Sequence, residues 1–121
     1  MRTLTITVQG HDKMLAAELA AARRINAGEG YQGEVYSFET IDLLFETITP
    51  RRWALIWKLK EIGPSTLRGL ARALERDVKR VHQDVTFLLE EGIVEWGSDK
   101  RLLVPYADIR IAINLADTVA A

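Results

Sequence analysis

Between Asp77 and Gly92, the apolar residues Val78, Val81, Val85 and Leu88 recur at three- and four-residue steps. That is the period of a helix that buries one face. Asp77 suits the N-cap, because its carboxylate can accept from a free amide of the first turn, and Gly92 supplies a left-handed stop. Gln83 then points away from the apolar stripe, flanked by Lys79 and Arg80 near the helix start. Upstream, Thr49-Pro50 opens a helix over 50–62 that Gly63-Pro64 ends. This helix is apolar almost all round (Trp53, Ala54, Leu55, Ile56, Trp57, Leu59, Ile62), so burial on two sides is expected. Ser65 or Thr66 caps the next helix, with Leu67, Leu70, Ala71 and Leu74 inward and Arg68, Arg72 and Arg76 as an outer stripe. Beyond Gly92, Ile93–Trp96 and Arg101–Val104 are short apolar strands around the polar turn Gly97-Ser98-Asp99-Lys100, a β-hairpin.

The ends of the chain follow a different period. Thr3–Val8 alternates strictly, with Leu4, Ile6 and Val8 on one side and threonines on the other, as a half-buried strand does. Asp12 caps a helix through about Ile25. A strand leading into a helix also fits a ribbon-helix-helix repressor, but the long glycine-bearing loop that follows does not suit that fold. Gly28–Gly33 matches G-x-G-x-x-G, yet a helix precedes it and the β-prone Val35-Tyr36-Ser37 follows. A phosphate loop requires the reverse order, and Glu29 and Glu34 would repel phosphate, so the segment reads as a turn. Ser37 is expected to cap a short helix carrying Phe38, Ile41, Leu44, Phe45 and Ile48. Ile109, Ile111, Ile113 and Leu115 alternate with polar or small residues in a last strand. It invites pairing with strand 3–8, within one subunit or across a dimer. Asp117–Ala121 should be frayed.

Composition narrows the class without deciding it. With 48% hydrophobic and 27% charged residues, the chain has material for a real core. No apolar run reaches the roughly 18 residues of a membrane span and no signal-peptide layout opens the chain, so a cytoplasmic protein is expected. The absence of cysteine removes disulfides, thiolate ligands and a cysteine nucleophile. A net charge of −1 does not advertise nucleic-acid binding, but the charge is uneven. Residues 50–106 hold eleven Lys and Arg against eight Asp and Glu, whereas residues 1–49 hold four against seven.

These patterns predict an α+β protein: a winged helix-turn-helix with an N-terminal strand-helix extension and a C-terminal β-strand. The expected divisions are 1–49 for dimerisation or partner binding, 50–106 for a DNA-binding domain, and 107–121 for a strand and tail. A helix with a buried back and donors on its N-terminal half is what entry into a major groove requires. Candidate DNA contacts are Arg51, Arg52, Ser65, Thr66, Arg68, Lys79, Arg80, His82, Gln83, Lys100 and Arg101. Of these, Arg80 is suited to guanine and Gln83 to adenine, while Lys100 and Arg101 lie at the hairpin tip, where a wing touches phosphate or minor groove. Candidate partner or dimer positions are Leu4, Ile6, Val8, Trp53, Trp57, Phe87, Ile109, Ile111 and Ile113.

The run T-P-R-R-W-A-L-I-W-K-L-K-E-I-G-P-S-T-L-R-G-L-A-R-A-L-E-R-D-V-K-R-V-H-Q-D-V, continuing to E-G-I-V-E and V-P-Y-A-D-I-R-I, resembles a family of small prokaryotic MarR-like winged-helix transcriptional regulators. Arg76–Val85 is its most specific part, and the resemblance covers about Phe38 to Leu115. It implies a double-stranded-DNA-binding regulator and, since such genes often stand beside a small toxin, an antitoxin that represses its own operon. Two-fold operators and the terminal strands left to be paired add the expectation of a homodimeric repressor. The alternative is an antitoxin that acts mainly by protein binding to a cognate toxin. Phe87 departs from the family's small residue and Glu91 from its leucine, and an outward Phe87 suits a partner. Catalysis is not expected. His11 and His82 are the only histidines, too few for a zinc site; Glu90 and Glu91 diverge on a helix; and no serine has a nucleophile context. No cofactor or metal is called for.

Overall fold

The computed structural model describes residues 2–9 and 33–115. The helix expected over 12–25, residues 28–32 of the glycine turn, and the tail from Asp117 lie outside the described residues. The described fold is α+β, with four helices and two small sheets. It divides into two units: one contains residues 2–9, 33–47 and 106–115, and the other is Ile48–Pro105.

The first unit is a three-stranded parallel sheet. β1 (Thr3–Val8) lies between β2 (Glu34–Phe38) and β5 (Asp108–Ala112). The alternation of Thr3–Val8 sets its two faces. Leu4 is in register with Glu34 and Ile109, Ile6 with Tyr36 and Ile111, and Val8 with Phe38. Residues in register share a face, so one face is almost wholly apolar. Leu4, Ile6 and Val8 are buried there. Arg2 fastens one end: its guanidinium meets the Glu34 carboxylate in two bonds of 2.7 and 3.0 Å, and also lies 4.8 Å above the Tyr106 ring. The two chain ends thus pair within one chain. β2 also takes up Ser37 and Phe38, expected to begin a helix. Helix α1 (Ile41–Thr47) starts later, where the Thr40 hydroxyl accepts from the Leu43 amide at 3.1 Å.

The second unit holds α2 (Pro50–Ile62), α3 (Leu67–Leu74), α4 (Val78–Glu90) and the hairpin β3 (Glu95–Trp96) with β4 (Leu102–Leu103). Its caps follow local chemistry. Thr49 accepts from the Arg52 amide, Thr66 from Gly69, and Asp77 from Arg80, and Gly63 and Gly92 take the positive φ of helix ends. Ser65, the other candidate cap, instead exchanges two backbone hydrogen bonds with Leu102 and so ties the α2–α3 turn to the hairpin. Leu55, Ile56, Leu59, Leu70, Ala71, Val81, Val85, Leu88, Ile93, Val94, Leu102 and Val104 form the buried interior.

Several apolar residues do not go where periodicity put them. Trp57 is 75% exposed, so α2 is buried on one side only within this chain. Val78, in the first turn of α4, is also exposed, because the stripe that packs begins at Val81. Ile93 and Val94 do not open the hairpin; their amides return to the Leu88 carbonyl and close the end of α4. The contrast along α2 is measurable. Leu59→Ala should cost about 2–5 kcal/mol in urea unfolding, whereas Trp57→Ala should stay within about 0.5 kcal/mol. Equal losses at both positions would refute one-sided burial.

Candidate nucleic-acid interface

The turn between α3 and α4 is three residues long, and its shape comes from Glu75, held at φ 55° and ψ 43°. In that left-handed conformation the Glu75 amide donates to the Arg72 carbonyl and the Arg76 amide to Ala71, both at 3.1 Å, which closes α3. Arg76 is thereby removed from the expected outer stripe and directed inward. Its Nη2 donates to Asp84 Oδ2 at 2.8 Å, while Arg52 Nε, from α2, reaches Asp84 Oδ1 at 3.2 Å. One carboxylate on α4 therefore joins α2 and the turn, and Asp84 keeps only 17% of its side-chain exposure.

This clamp changes the standing of two expected site residues. Arg52, a candidate phosphate contact, is engaged by Asp84, and its guanidinium also stacks 4.0 Å from the centre of the Phe87 ring. Phe87, expected to meet a partner, is half-buried beneath that cation. Neither points freely outward.

What α4 does present is a continuous polar face. Lys79, Arg80, His82, Gln83 and Thr86 are all exposed, opposite the buried Val81, Val85 and Leu88. The Thr86 hydroxyl donates to the His82 carbonyl at 2.8 Å. Thr86 lies on the same face as Gln83, one helical step on, and was not among the residues expected from sequence. Beside the start of α4, Arg51, Arg76, Asp77 and Arg80 line an open depression of about 540 Å³. Three guanidinium groups against one carboxylate make it a positive hollow. Arg51 comes from the first turn of α2 and Arg80 from the first turn of α4, so the ends of two helices converge there.

The remaining candidates are dispersed. Thr66 uses its hydroxyl to cap α3, and the Ser65 hydroxyl donates to the Thr66 carbonyl at 2.9 Å. A side chain at Gly69 would crowd both, its Cβ falling 2.7 Å from Ser65 Oγ. Arg68 is exposed on α3. Lys100 and Arg101 are exposed at the hairpin turn, where the Gly97 amide donates to the Arg101 carbonyl at 2.8 Å. Trp96, 56% exposed, adds a large aromatic to the hairpin that the sequence reading took only as a strand residue. Among the interface candidates, Leu4, Ile6 and Val8 are buried within the chain's own interior and offer no surface. Trp53, Ile109 and Ile113 are half-buried, and Trp57 and Ile111 are exposed.

The clamp yields a thermodynamic expectation. Asp84→Ala strands two arginines and should destabilise the protein by about 1.5–3 kcal/mol, the range of hydrogen bonds to charged groups. Arg52→Ala and Arg76→Ala should each be non-additive with it in a double-mutant cycle read by denaturant unfolding. Strict additivity of both pairs would dissolve the clamp.

A family model described as HVO_A0114 matches residues 47–111 of the chain. No curated protein and no solved structure matches it.

Proposed function

The chain belongs to the HVO_A0114 family, and we propose that it is a sequence-specific DNA-binding transcriptional regulator whose Ile48–Pro105 unit works as a winged helix-turn-helix of MarR-like kind. The observation that carries this reading is the outward face of α4: Lys79, Arg80, His82, Gln83 and Thr86 stand exposed on a helix whose opposite side is buried. A major groove is about 12 Å wide and admits one helix, and side chains on its leading half then reach base edges. In this reading α3, the Glu75 turn and α4 are the helix-turn-helix, and the β3–β4 hairpin with Lys100 and Arg101 is the wing.

The geometry divides the labour among the polar groups. Gln83, at the centre of the exposed face, reads a base edge, where an amide pairs bidentately with adenine. Arg80 shares its hollow with Arg51 and Arg76. That cluster suits a backbone phosphate better than the guanine expected from sequence, because it gathers positive charge from two helix ends around one point. Arg68, Lys100 and Arg101 supply further phosphate contacts. Arg52 serves the fold through Asp84.

A second reading, an antitoxin that acts mainly by covering a protein partner, is favoured by the exposed indole of Trp57 on α2. Trp57→Ala should then abolish that partnership and leave DNA binding unchanged.

The DNA-binding reading is tested with duplex selected from a random library. Arg51→Ala and Arg80→Ala should each flatten the log K against log salt slope by about 0.9, whereas Gln83→Ala should lose about 1–3 kcal/mol of discrimination between selected and scrambled duplex. Failure to enrich any duplex, or unchanged slope and discrimination in all three variants, would overturn it.

A further inference from the structure

We infer that β5 is an interaction surface for a second copy of this chain, the two strands pairing antiparallel about a two-fold axis at Ile111. The starting point is where the apolar face of the parallel sheet runs out. Ile6 on the central strand is fully buried, yet Ile111, its register partner on β5, is 50% exposed. Asp108, Arg110 and Ala112 are exposed with it. Among the described residues β5 pairs with β1 alone. An edge strand turns a row of backbone donors and acceptors outward, and proteins blunt such edges with proline, lysine or a bulge. Asp108–Ala112 contains neither proline nor lysine, and its two charges, Asp108 and Arg110, lie on the face opposite the isoleucines.

The occupant follows from self-complementarity. A two-fold contact places each residue opposite its symmetry mate, and pleating requires paired residues to share a face. Three registers, centred on Ile109, Arg110 or Ile111, keep the paired residues within one position of β5. Centred on Arg110, the strands set two guanidinium groups directly opposite each other, which is destabilising. Centred on Ile111, they set Ile111 against Ile111, Ile109 against Ile113, and Arg110 against Ala112. The isoleucine row then continues from one sheet into the next, and no like charges face each other directly. Centred on Ile109, they pair Asp108 with Arg110 but set the exposed Ile111 against Ala107 and break the isoleucine row. The Ile111 register keeps that row by extending one residue past the strand, to Ile113. This pairing would join two three-stranded sheets into one of six strands. The inference does not rest on the DNA-binding reading, and its test uses no DNA.

The chain lacks cysteine, so one introduced thiol reports one position. Residues directly opposite in an antiparallel pair have Cβ atoms about 4.5–5.5 Å apart, near disulfide reach, whereas positions whose Cα atoms lie beyond about 7 Å cannot be bridged without backbone movement. Under mild oxidation at tens of micromolar, Ile111→Cys should form covalent dimer at least tenfold more than Arg110→Cys or Trp57→Cys. By light scattering the unmodified protein should show twice the 13.6 kDa chain mass, and Ile111→Lys should halve it with an unchanged circular dichroism spectrum. If Ile111→Lys fails to fold, the cysteine trio decides alone. An unmodified protein that is monomeric, or crosslinking at Arg110→Cys or Trp57→Cys that equals Ile111→Cys, would overturn the proposal. The last outcome would move the contact to α2.

Discussion

Asp84 is the point on which the geometry of the helical unit turns. Its carboxylate takes Arg52 from α2 on one oxygen and Arg76 from the α3–α4 turn on the other, so a single side chain fixes α4 against two other segments. Hydrophobic burial along Val81, Val85 and Leu88 holds α4 to the interior but is not directional. Charged hydrogen bonds have preferred lengths and angles, and these set where along its axis α4 comes to rest. The exposed position of Gln83, one residue before Asp84, follows from that placement. The same clamp leaves the hollow beside it rich in positive charge, since Arg76 gives only one edge of its guanidinium to Asp84 while Arg51 and Arg80 stand across from it.

Topology gives the sheet unit a different kind of constraint. All three strands run parallel, which requires long crossover connections rather than tight turns. The connection from β2 to β5 contains the entire Ile48–Pro105 unit, so the helical unit is an insertion in the chain of the sheet unit. Central β1 is protected on both sides by its neighbours. Within the strands themselves, the large apolar residues left exposed are Val35 and Ile111, both on the outer strands.

Polar satisfaction shapes the rest. Hydroxyls at Thr40, Thr49 and Thr66 accept from helix amides, and so set helix boundaries. A side chain at Gly69 has no room, since its Cβ would press against the hydroxyls of Ser65 and Thr66. Ser65 and Leu102 join the helices to the hairpin through the backbone, which makes the hairpin part of the unit's framework as well as a carrier of Lys100, Arg101 and Trp96.

The chain's local signals determined its elements. Alternation set β1, the three- and four-residue period set the buried stripe of α4, and Thr49-Pro50, Gly63-Pro64, Asp77 and Gly92 set helix ends, because each acts through bonds within a few residues of itself. The mixed α+β class was legible from the same signals. Only tertiary structure decided which like-looking residues share a role. Arg51, Arg52, Arg76 and Arg80 are equivalent letters in the chain, yet Arg52 and Arg76 turn to Asp84 while Arg51 and Arg80 face solvent. Trp57 and Leu59 are both apolar on one helix, yet one is exposed and the other buried. Phe87 read as an outward side chain until Arg52 closed over its ring. The pairing of β1 with β5, a hundred residues apart, was invited by the sequence, but its parallel direction and its place within one chain were not legible there. Charge pairing, cation–π contact and sheet order are long-range: each depends on a partner brought near by the fold, and a single residue's neighbours in sequence do not encode that partner's place.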